Sequence, residues 1–269
     1  MDFRIQPGFY PRPNAQNILF DLDGTISMVR ALWCQIMVRM FMEQLPRKTN
    51  ETEEELRSSL LDDMLRLNGH PCVFQMIRFG ERMAERGKTA PDAKTMEAEF
   101  MRRLQAVALQ RQEDVTTGKR PLESILVPGS LPLLDALTQR GLHLTLASGT
   151  TEDIVLPEVD RLGLRAYFGE NVHAAPLNRN DFSKEKIIEN ILAKGVDPKN
   201  LIAFGDGVVE IRETSRRGGL AVGVASDEMN PNNDKCDPVK ARLLIEAGAH
   251  LVIPNYNHLT ELLKTIFGE

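Results

Sequence analysis

The sequence has few cysteines, and their spacing excludes the structures that cysteine usually stabilises. Of 269 residues, only Cys34, Cys72 and Cys236 are cysteines, and no two of them form a Cys-x-x-Cys pair. An odd number of widely spaced cysteines argues against a disulfide framework or a zinc finger. We therefore interpret all three as packing residues of a protein from a reducing compartment.

Long apolar runs and an excess of positive charge are also missing. The first seventeen residues contain no apolar stretch of signal-peptide length, and the most apolar helix candidate, Ser27–Leu45, is interrupted by Arg30 and Arg39. The 33 basic residues are outnumbered by 38 acidic ones, whereas a nucleic-acid-binding protein would carry a basic face. These absences predict a cytoplasmic protein without a membrane or nucleic-acid partner. A small anionic ligand, held by a few local cations, stays possible.

The first apolar run is followed directly by acidic residues. Residues 18–20 are short and apolar and end in a polar turn that contains glycine, as expected of a buried strand. From about position 28 to 112 the pattern changes to long helical segments, separated by breaks that contain proline or glycine. The predicted helices of this stretch are Met28–Leu45, Glu51–Leu67, Cys72–Arg86 and Pro91–Gln112.

After Pro128-Gly129, helical and strand patterns alternate. The predicted helices are Leu131–Arg140, Glu152–Leu162, Lys184–Lys194, Val209–Arg217, Pro238–Ala247 and His258–Phe267, and the predicted strands are Leu142–Ala147, a short one near Val172, Leu201–Phe204, Ala221–Val224 and His250–Ile253. Short apolar strands separated by amphipathic helices imply parallel pairing. We therefore predict an α/β fold, a Rossmann-like parallel sheet covered by helices on both faces. Its discontinuous core would comprise residues 1–27 and 122–269, and residues 28–121 would form an all-helical insertion after the first strand.

Polar residues follow three of the predicted strands, and a lysine opens the helix before the last of these. The carboxyl ends of parallel strands meet at one edge of a sheet, where open sheets bind their ligands. We therefore expect a single site formed by Asp21, Asp23, Ser148, Gly149, Lys184 and Asp206.

The residue types at this predicted site suit phosphoryl transfer. Several carboxylates repel one another unless a cation lies among them, and oxygen ligands favour magnesium. A hydroxyl, an ammonium group and backbone N–H groups suit the oxygens of a phosphoryl group. One carboxylate can attack phosphorus, while a second exchanges protons with the leaving group and with water.

Four segments, in this order along the chain, resemble the motifs of the haloacid dehalogenase-like superfamily. The first is Asp-Leu-Asp-Gly-Thr at positions 21–25, directly after a strand. Ser148 is similar to the second motif and Lys184 to the third, and Gly-Asp-Gly-Val-Val-Glu at positions 205–210 is similar to the fourth. The resemblance implies a hydrolase that uses Mg²⁺ and forms an aspartyl phosphate.

The resemblance also implies a role for each matching position. Asp21 would be the nucleophile and a metal ligand. Asp23 would be the general acid and base, with its backbone carbonyl on the metal, and Thr25 would orient Asp23. The other implied phosphate-binding or metal-binding groups are the backbone N–H groups near Leu22 and Gly149, the Ser148 hydroxyl, the Lys184 ammonium, and the carboxylates of Asp206 and Glu210.

Two of these assignments have alternatives at this stage. Lys186 could take the place of Lys184, which we prefer because it begins the helix and Ile187 then starts its buried face. Glu210 stands where the family usually has a second aspartate. Its longer side chain would either reach the metal through water or only support Asp206.

The long segment between Asp21 and Ser148 resembles the helical cap of the phosphoglycolate phosphatase and β-phosphoglucomutase branch. In such caps a loop faces the active site, so His70 is a candidate substrate residue, with an ordinary polar loop as the alternative. Arg78 belongs to a basic stripe with Arg82 and Arg86. This stripe is either a solvated helix face or a surface that meets a second anionic group of the substrate.

Together these features predict a magnesium-dependent phosphatase that acts on a small phosphorylated metabolite, such as a sugar phosphate or a related organic phosphomonoester. Asp23 argues against dehalogenases and phosphonate hydrolases, which lack an aspartate there, and against transport ATPases, which carry threonine. A phosphomutase shares every motif and is the first alternative. A non-catalytic binding module that retains the fold is the second.

Overall fold

The computed structural model describes residues 2–68, 70–176 and 183–269, and a seven-stranded sheet is its central element. The strands are β1 (Arg4–Ile5), β2 (Asn17–Asp21), β3 (His143–Thr151), β4 (Val172–Ala175), β5 (Leu201–Gly205), β6 (Leu220–Val224) and β7 (Leu251–Ile253). Their order across the sheet is β1-β7-β6-β5-β2-β3-β4. Every pair is parallel except β1 with β7. The predicted α/β fold is confirmed. The antiparallel edge strand β1 was not predicted, because two residues are too few to show a periodic pattern.

The helices divide between two compact units. The first unit, Met1–Met28 with Pro121–Glu269, contains the sheet, and the second unit is Val29–Arg120. Helices of the second unit are α1 (Trp33–Met42), α2 (Glu53–Arg66), α3 (Val73–Ala84) and α4 (Ala93–Thr116). Those of the first are α5 (Ser130–Gln139), α6 (Glu152–Arg161), α7 (Arg165–Phe168), α8 (Lys184–Ala193), α9 (Val208–Arg216), α10 (Pro238–Glu246) and α11 (Leu259–Phe267), with 3-10 turns at Leu122–Ile125 and Pro198–Asn200.

The central strand β2 packs on both of its faces. Leu19 belongs to an apolar cluster with Ile187 and Ile188 of α8. The next residue, Phe20, points to the opposite face, where its ring stacks on Phe204 at 4.9 Å between centroids. Since β2 lies between β3 and β5, the polar residues that follow these three strands lie at one edge of the sheet.

The second unit has its own apolar core. Phe41 of α1 and Phe79 of α3 stack with their ring centroids 4.0 Å apart, surrounded by buried methionine and leucine side chains. A capping box of Thr52 and Glu55 begins α2. The predicted start of the first helix at Met28 was too early: α1 begins at Trp33, after Leu32 in a left-handed conformation.

Among the described residues, no helix combines the length and the apolar character needed to cross a membrane.

Gly129 provides a test of the close packing around α5. Its φ is +82°, and a Cβ there would lie 2.5 Å from the backbone carbonyl of Tyr256. A clash with backbone cannot be relieved by a side-chain rotation, so Gly129→Ala should lower the free energy of unfolding by on the order of 3 kcal/mol. Gly141→Ala is the matched control, because φ is +70° there but nothing lies within 4 Å. Gly141→Ala should lower the free energy of unfolding by about 1 kcal/mol. Urea denaturation compares the two, and equal losses would contradict this account.

Candidate active site

The register of the sheet brings the sequence motifs together. Asp21, the last residue of β2, pairs with Ala147 of β3, so Ser148 lies one residue further along. On the other side, β2 and β5 pair as far as Phe204, and Asp206 follows two residues later. Asp21, the end of β2, therefore lies between Ser148, which is within β3, and Asp206, which follows β5.

Three buried carboxylates form the centre of this site. Asp21, Asp206 and Glu210 each offer an oxygen, and these oxygens all lie within 4.8 Å of one another. Gly24 lies against Asp206, and a Cβ at this glycine would be 2.1 Å from Asp206 Oδ2. A compact set of oxygen donors with excess negative charge fits a hard divalent cation such as Mg²⁺.

Lys184 supplies the positive charge next to these acids. Its side chain is 4% exposed, with Nζ 2.6 Å from Asp21 Oδ1 and 3.0 Å from Glu210 Oε2. Ser183 accepts a hydrogen bond from the backbone N–H of Lys186 and thereby sets the start of α8 at Lys184. Lys186 itself is exposed. Lys184 is thus in contact with two members of the acidic cluster, Asp21 and Glu210.

Glu210 links the fourth motif to the lysine. Its Oε1 accepts the backbone N–H of Gly207 at 2.9 Å, and its Oε2 accepts Lys184 Nζ. Side chains larger than glycine do not fit beside it, since a Cβ at Gly205 would lie 2.3 Å from Oε1. Both oxygens of Glu210 thus bind donors of the chain, an arrangement that suits a supporting role.

The acids and Lys184 change each other's ionisation. Burial raises the pKa of Asp21 well above its usual range; the Lys184 ammonium opposes this rise, and Glu210 and Asp206 add to it. Burial works to lower the pKa of Lys184, but Asp21 and Glu210 outweigh it and raise that pKa. Lys184 is therefore charged at neutral pH and favours the ionised form of Asp21.

A second buried lysine, which the sequence analysis missed, contacts Asp206. Lys240 Nζ lies 3.2 Å from Asp206 Oδ2 and 2.7 Å from Glu228 Oε1. Burial raises the pKa of Asp206 to about 6, with Lys240 opposing the rise and Glu210 and Glu228 adding to it. Lys240 follows an Asp-Pro helix start, and that pattern predicts α10 but not the direction in which the lysine points.

Hydroxyl groups approach the two aspartates of the first motif. Thr25 was expected to orient Asp23, but its Oγ1 lies 3.5 Å from Asp21 Oδ2. The hydroxyl of Thr150 lies 3.2 Å from Asp23 Oδ2. Thr150 lies between the predicted strand Leu142–Ala147 and the predicted helix Glu152–Leu162, and no role was assigned to it. Asp23 is half-buried.

Of the other predicted phosphate-binding residues, Ser148 and Gly149 lie in β3 and Leu22 follows β2. Ser148 is buried, and its Oγ accepts the backbone N–H of Thr150 at 3.1 Å. Leu22 is buried as well, whereas Gly149 is exposed, with nothing within 4 Å of the position of a Cβ. The Gly149 backbone therefore has open space beside it.

Two distant residues hold the loop that carries the first motif. The Tyr256 hydroxyl donates to the carbonyl of Thr25 at 2.9 Å, and Ser226 Oγ donates to the carbonyl of Gly24 at 3.0 Å. Both side chains are buried. No local sequence signal pointed to them, because their partners are more than 200 positions away in the chain.

The two candidate substrate residues of the helical unit, His70 and Arg78, have different surroundings there. The ring of His70, an exposed residue, meets Phe74 edge-on at 6.0 Å. The guanidinium of Arg78 pairs with three carboxylates of the same unit, those of Asp63, Glu81 and Glu85.

Comparison with known families agrees with the motifs. A model of haloacid dehalogenase-like hydrolases matches residues 15–213. The chain belongs to this family of hydrolases, and the predicted family is confirmed.

Individual relatives are less than 30% identical to this chain and match only part of it. A phosphonoacetaldehyde hydrolase from Bacteroides fragilis is 27% identical over 157 residues, which are 52% of this chain and 59% of the relative. A phosphoglycolate phosphatase from Agrobacterium fabrum is 29% identical over 104 residues, covering 39% of this chain and 45% of the relative. The chain thus spans little more than half the length of the first and less than half that of the second.

Solved structures share the fold over nearly the whole chain. A haloacid dehalogenase-like protein of unknown function from Agrobacterium tumefaciens superposes with a TM-score of 0.62 at 18% identity. The match covers 93% of this chain and 97% of that one. At this identity the similarity establishes the fold.

Replacing Lys184 tests the buried ion pairs. Lys184→Met would leave Asp21 and Glu210 buried without their shared counter-charge, so the free energy of unfolding at neutral pH should fall by about 3 kcal/mol. Lys186→Met, at an exposed position on the same helix, should change it by less than about 0.5 kcal/mol. Urea denaturation followed by circular dichroism measures both. A Lys184→Met protein as stable as the wild type would show that the pairs contribute nothing to folding.

Proposed function

We propose that this protein is a magnesium-dependent phosphatase that hydrolyses a small phosphorylated metabolite through a phosphoaspartate at Asp21. The observation that carries the proposal is the contact of 2.6 Å between Asp21 and the buried Lys184, inside a cluster of three carboxylates. A bound phosphoryl group would find its nucleophile and a compensating positive charge at the same edge of the sheet.

Asp21 performs the first step in this mechanism. Its carboxylate attacks phosphorus, the bond from phosphorus to the leaving oxygen breaks, and an acyl phosphate forms. Lys184 favours the ionised form of Asp21 and neutralises charge on the phosphoryl oxygens, and Ser148 donates a hydrogen bond to one of them. Asp21, Asp206 and the backbone carbonyl of Asp23 would hold Mg²⁺, with Glu210 supporting them through Lys184 and the Gly207 N–H. When bound, Mg²⁺ lowers the repulsion between the nucleophile and the anionic substrate.

Asp23 moves the protons. Its protonated carboxyl group donates to the leaving oxygen, and the resulting carboxylate then takes a proton from the water that hydrolyses the acyl phosphate. Thr150, at 3.2 Å from Asp23 Oδ2, holds the side chain of Asp23 for both steps. Two aspartates two residues apart thus take different roles because their surroundings differ.

The helical unit is proposed to act as the cap that selects the substrate, with His70 and Arg78 as its candidate contact residues. The proposed partners are limited to a small phosphorylated substrate, in keeping with the net charge of −5. The proposed location is the cytoplasm.

Phosphonate hydrolysis is a second candidate, because one relative is named phosphonoacetaldehyde hydrolase. Asp23 favours the phosphatase, since its proton is useful where an oxygen leaves. Both activities release inorganic phosphate, so a single phosphate-release screen detects both. The substrate that is hydrolysed then distinguishes them. The screen would compare sugar phosphates, nucleotides, small phosphorylated acids and phosphonoacetaldehyde, each with and without Mg²⁺. A phosphomutase would instead retain a bisphosphorylated intermediate and release no net phosphate.

Asp21→Asn should reduce phosphate release by about 10³-fold or more, because the amide cannot attack phosphorus. Asp160→Asn is the matched control, since this exposed carboxylate pairs only at the surface with Arg165. It should retain wild-type activity. Phosphate release with Mg²⁺ and an aryl phosphate measures both variants, and thermal denaturation checks their folding. A folded Asp21→Asn protein with more than a few per cent of wild-type activity would refute the covalent mechanism.

The loss of activity in Asp23→Asn should depend on the leaving group of the substrate. An aryl oxide leaves without much help from an acid, whereas an alkyl or sugar alkoxide needs a proton. The variant should therefore lose much more activity on alkyl phosphates than on aryl phosphates, and phosphorylated Asp21 should accumulate because no base activates water. Rapid quenching, followed by mass spectrometry of the peptide that contains Asp21, detects the phosphorylated residue. Equal losses for both substrates, with no phosphopeptide, would contradict the role of Asp23.

A further inference from the structure

A cleft in the helical unit is lined by three arginines that the proposed reaction does not use. Arg39 of α1, Arg47 between α1 and α2, and Arg57 of α2 line a volume of about 540 Å³. All three residues are exposed. The other residues that line the cleft also belong to this unit, so one continuous segment of the chain forms it.

These arginines differ from their neighbours in having neither a hydrogen-bonded nor an ion-paired partner. Among the residues that the structure describes, none accepts a hydrogen bond from, or forms a salt bridge with, the guanidinium groups of Arg39, Arg47 and Arg57. The later arginines of the unit all pair with carboxylates or backbone carbonyls: Arg66, Arg78, Arg82, Arg86, Arg102, Arg103, Arg111 and Arg120. The three unpaired guanidinium groups therefore share one cleft.

The acidic residues of the cleft do not balance this charge. Glu43 follows Arg39 by one helical turn, but its two oxygens bind Arg103, each at 2.9 Å. Glu53, in the first turn of α2, forms no salt bridge with a described residue. Three guanidinium groups and one uncompensated carboxylate leave the cleft with an excess of positive charge.

The rest of the lining is apolar. Leu45 and Leu56 belong to the buried core of the unit, and Met42 packs against that core. The cleft can therefore contact an apolar part of a ligand as well as its charged groups. An apolar surface with a few polar groups, in a volume of about 300 to 1,000 Å³, is typical of sites for small molecules.

Arginine is well suited to phosphate groups. Its planar guanidinium offers parallel N–H donors to two oxygens, and it stays charged at any physiological pH. Three such groups around one cleft can bind more than one phosphate.

We propose that this cleft binds an organic diphosphate, a small molecule with two phosphate groups and an apolar portion. The phosphate groups bind Arg39, Arg47 and Arg57, and the apolar portion lies against Leu45 and Leu56. The inference is independent of the proposed function, because the cleft shares no residue with the buried acidic cluster.

Calorimetric titration of ADP into the full-length protein, with a chelator and without Mg²⁺, tests this site. Adenosine, which has no phosphate group, should bind about tenfold or more weakly than ADP. Arg39→Met and Arg57→Met should each weaken ADP binding by about tenfold, the effect expected when a hydrogen bond to a charged group is lost. Arg66→Met is the matched control, since this arginine lies on the same helix as Arg57 but pairs with Asp62. It should bind ADP as the wild type does.

A further variant predicts the opposite shift. Glu53→Gln removes the carboxylate that repels the ligand, so it should strengthen ADP binding by about twofold to threefold. This variant also keeps the test decisive if an arginine variant fails to show a cooperative thermal transition. A wild-type protein that binds no ADP, or variants that all bind it with wild-type affinity, would overturn the site. Phosphate release from an aryl phosphate measures the proposed function separately, so either proposal can fail without the other.

Discussion

The contacts of the buried Lys184 ammonium group are the interaction on which the acidic edge of the sheet depends. Asp21 comes from β2, Glu210 from α9 and Lys184 from α8, so one cation joins three elements that are far apart in the chain. Leaving these two carboxylates buried without the lysine would cost several kcal/mol, since an uncompensated buried charge is strongly destabilising. The contacts of Lys184 with Asp21 and Glu210 therefore hold the three elements together.

The loop of the first motif is held just as firmly, but through its backbone. Tyr256 and Ser226 bind the carbonyls of Thr25 and Gly24, and both come from the opposite end of the sequence. Backbone groups fixed in this way cannot adjust when a ligand arrives, so the carboxyl groups of the loop are arranged before binding. Such preorganisation is the main source of electrostatic catalysis in enzymes.

The sequence was sufficient to predict the features that follow from local pattern. It was also sufficient for those that follow from the rule that the carboxyl ends of parallel strands meet at one edge of a sheet. Apolar runs located the parallel strands, and the rule then placed Asp21, Ser148 and Asp206 together. Sequence patterns were insufficient where contacts between residues distant in the chain determine the structure. Residues 148–151 lay outside the predicted strand Leu142–Ala147, yet they continue β3 against β4 with a shift in register. The direction of Lys240 depends on how α10 packs beside the loop after β5, and residue order carries no signal of that.

The position of β2 has a consequence for synthesis of the chain. β2 is made first among the parallel strands, but both of its neighbours, β3 and β5, follow the complete helical unit. On the ribosome the helical unit, whose contacts are within one continuous segment, can therefore form while β2 still has no partner strand. The apolar residues of β2 therefore have no partner strand until β3 has been made. During this interval β2 is open to aggregation, since unpaired apolar strands promote it.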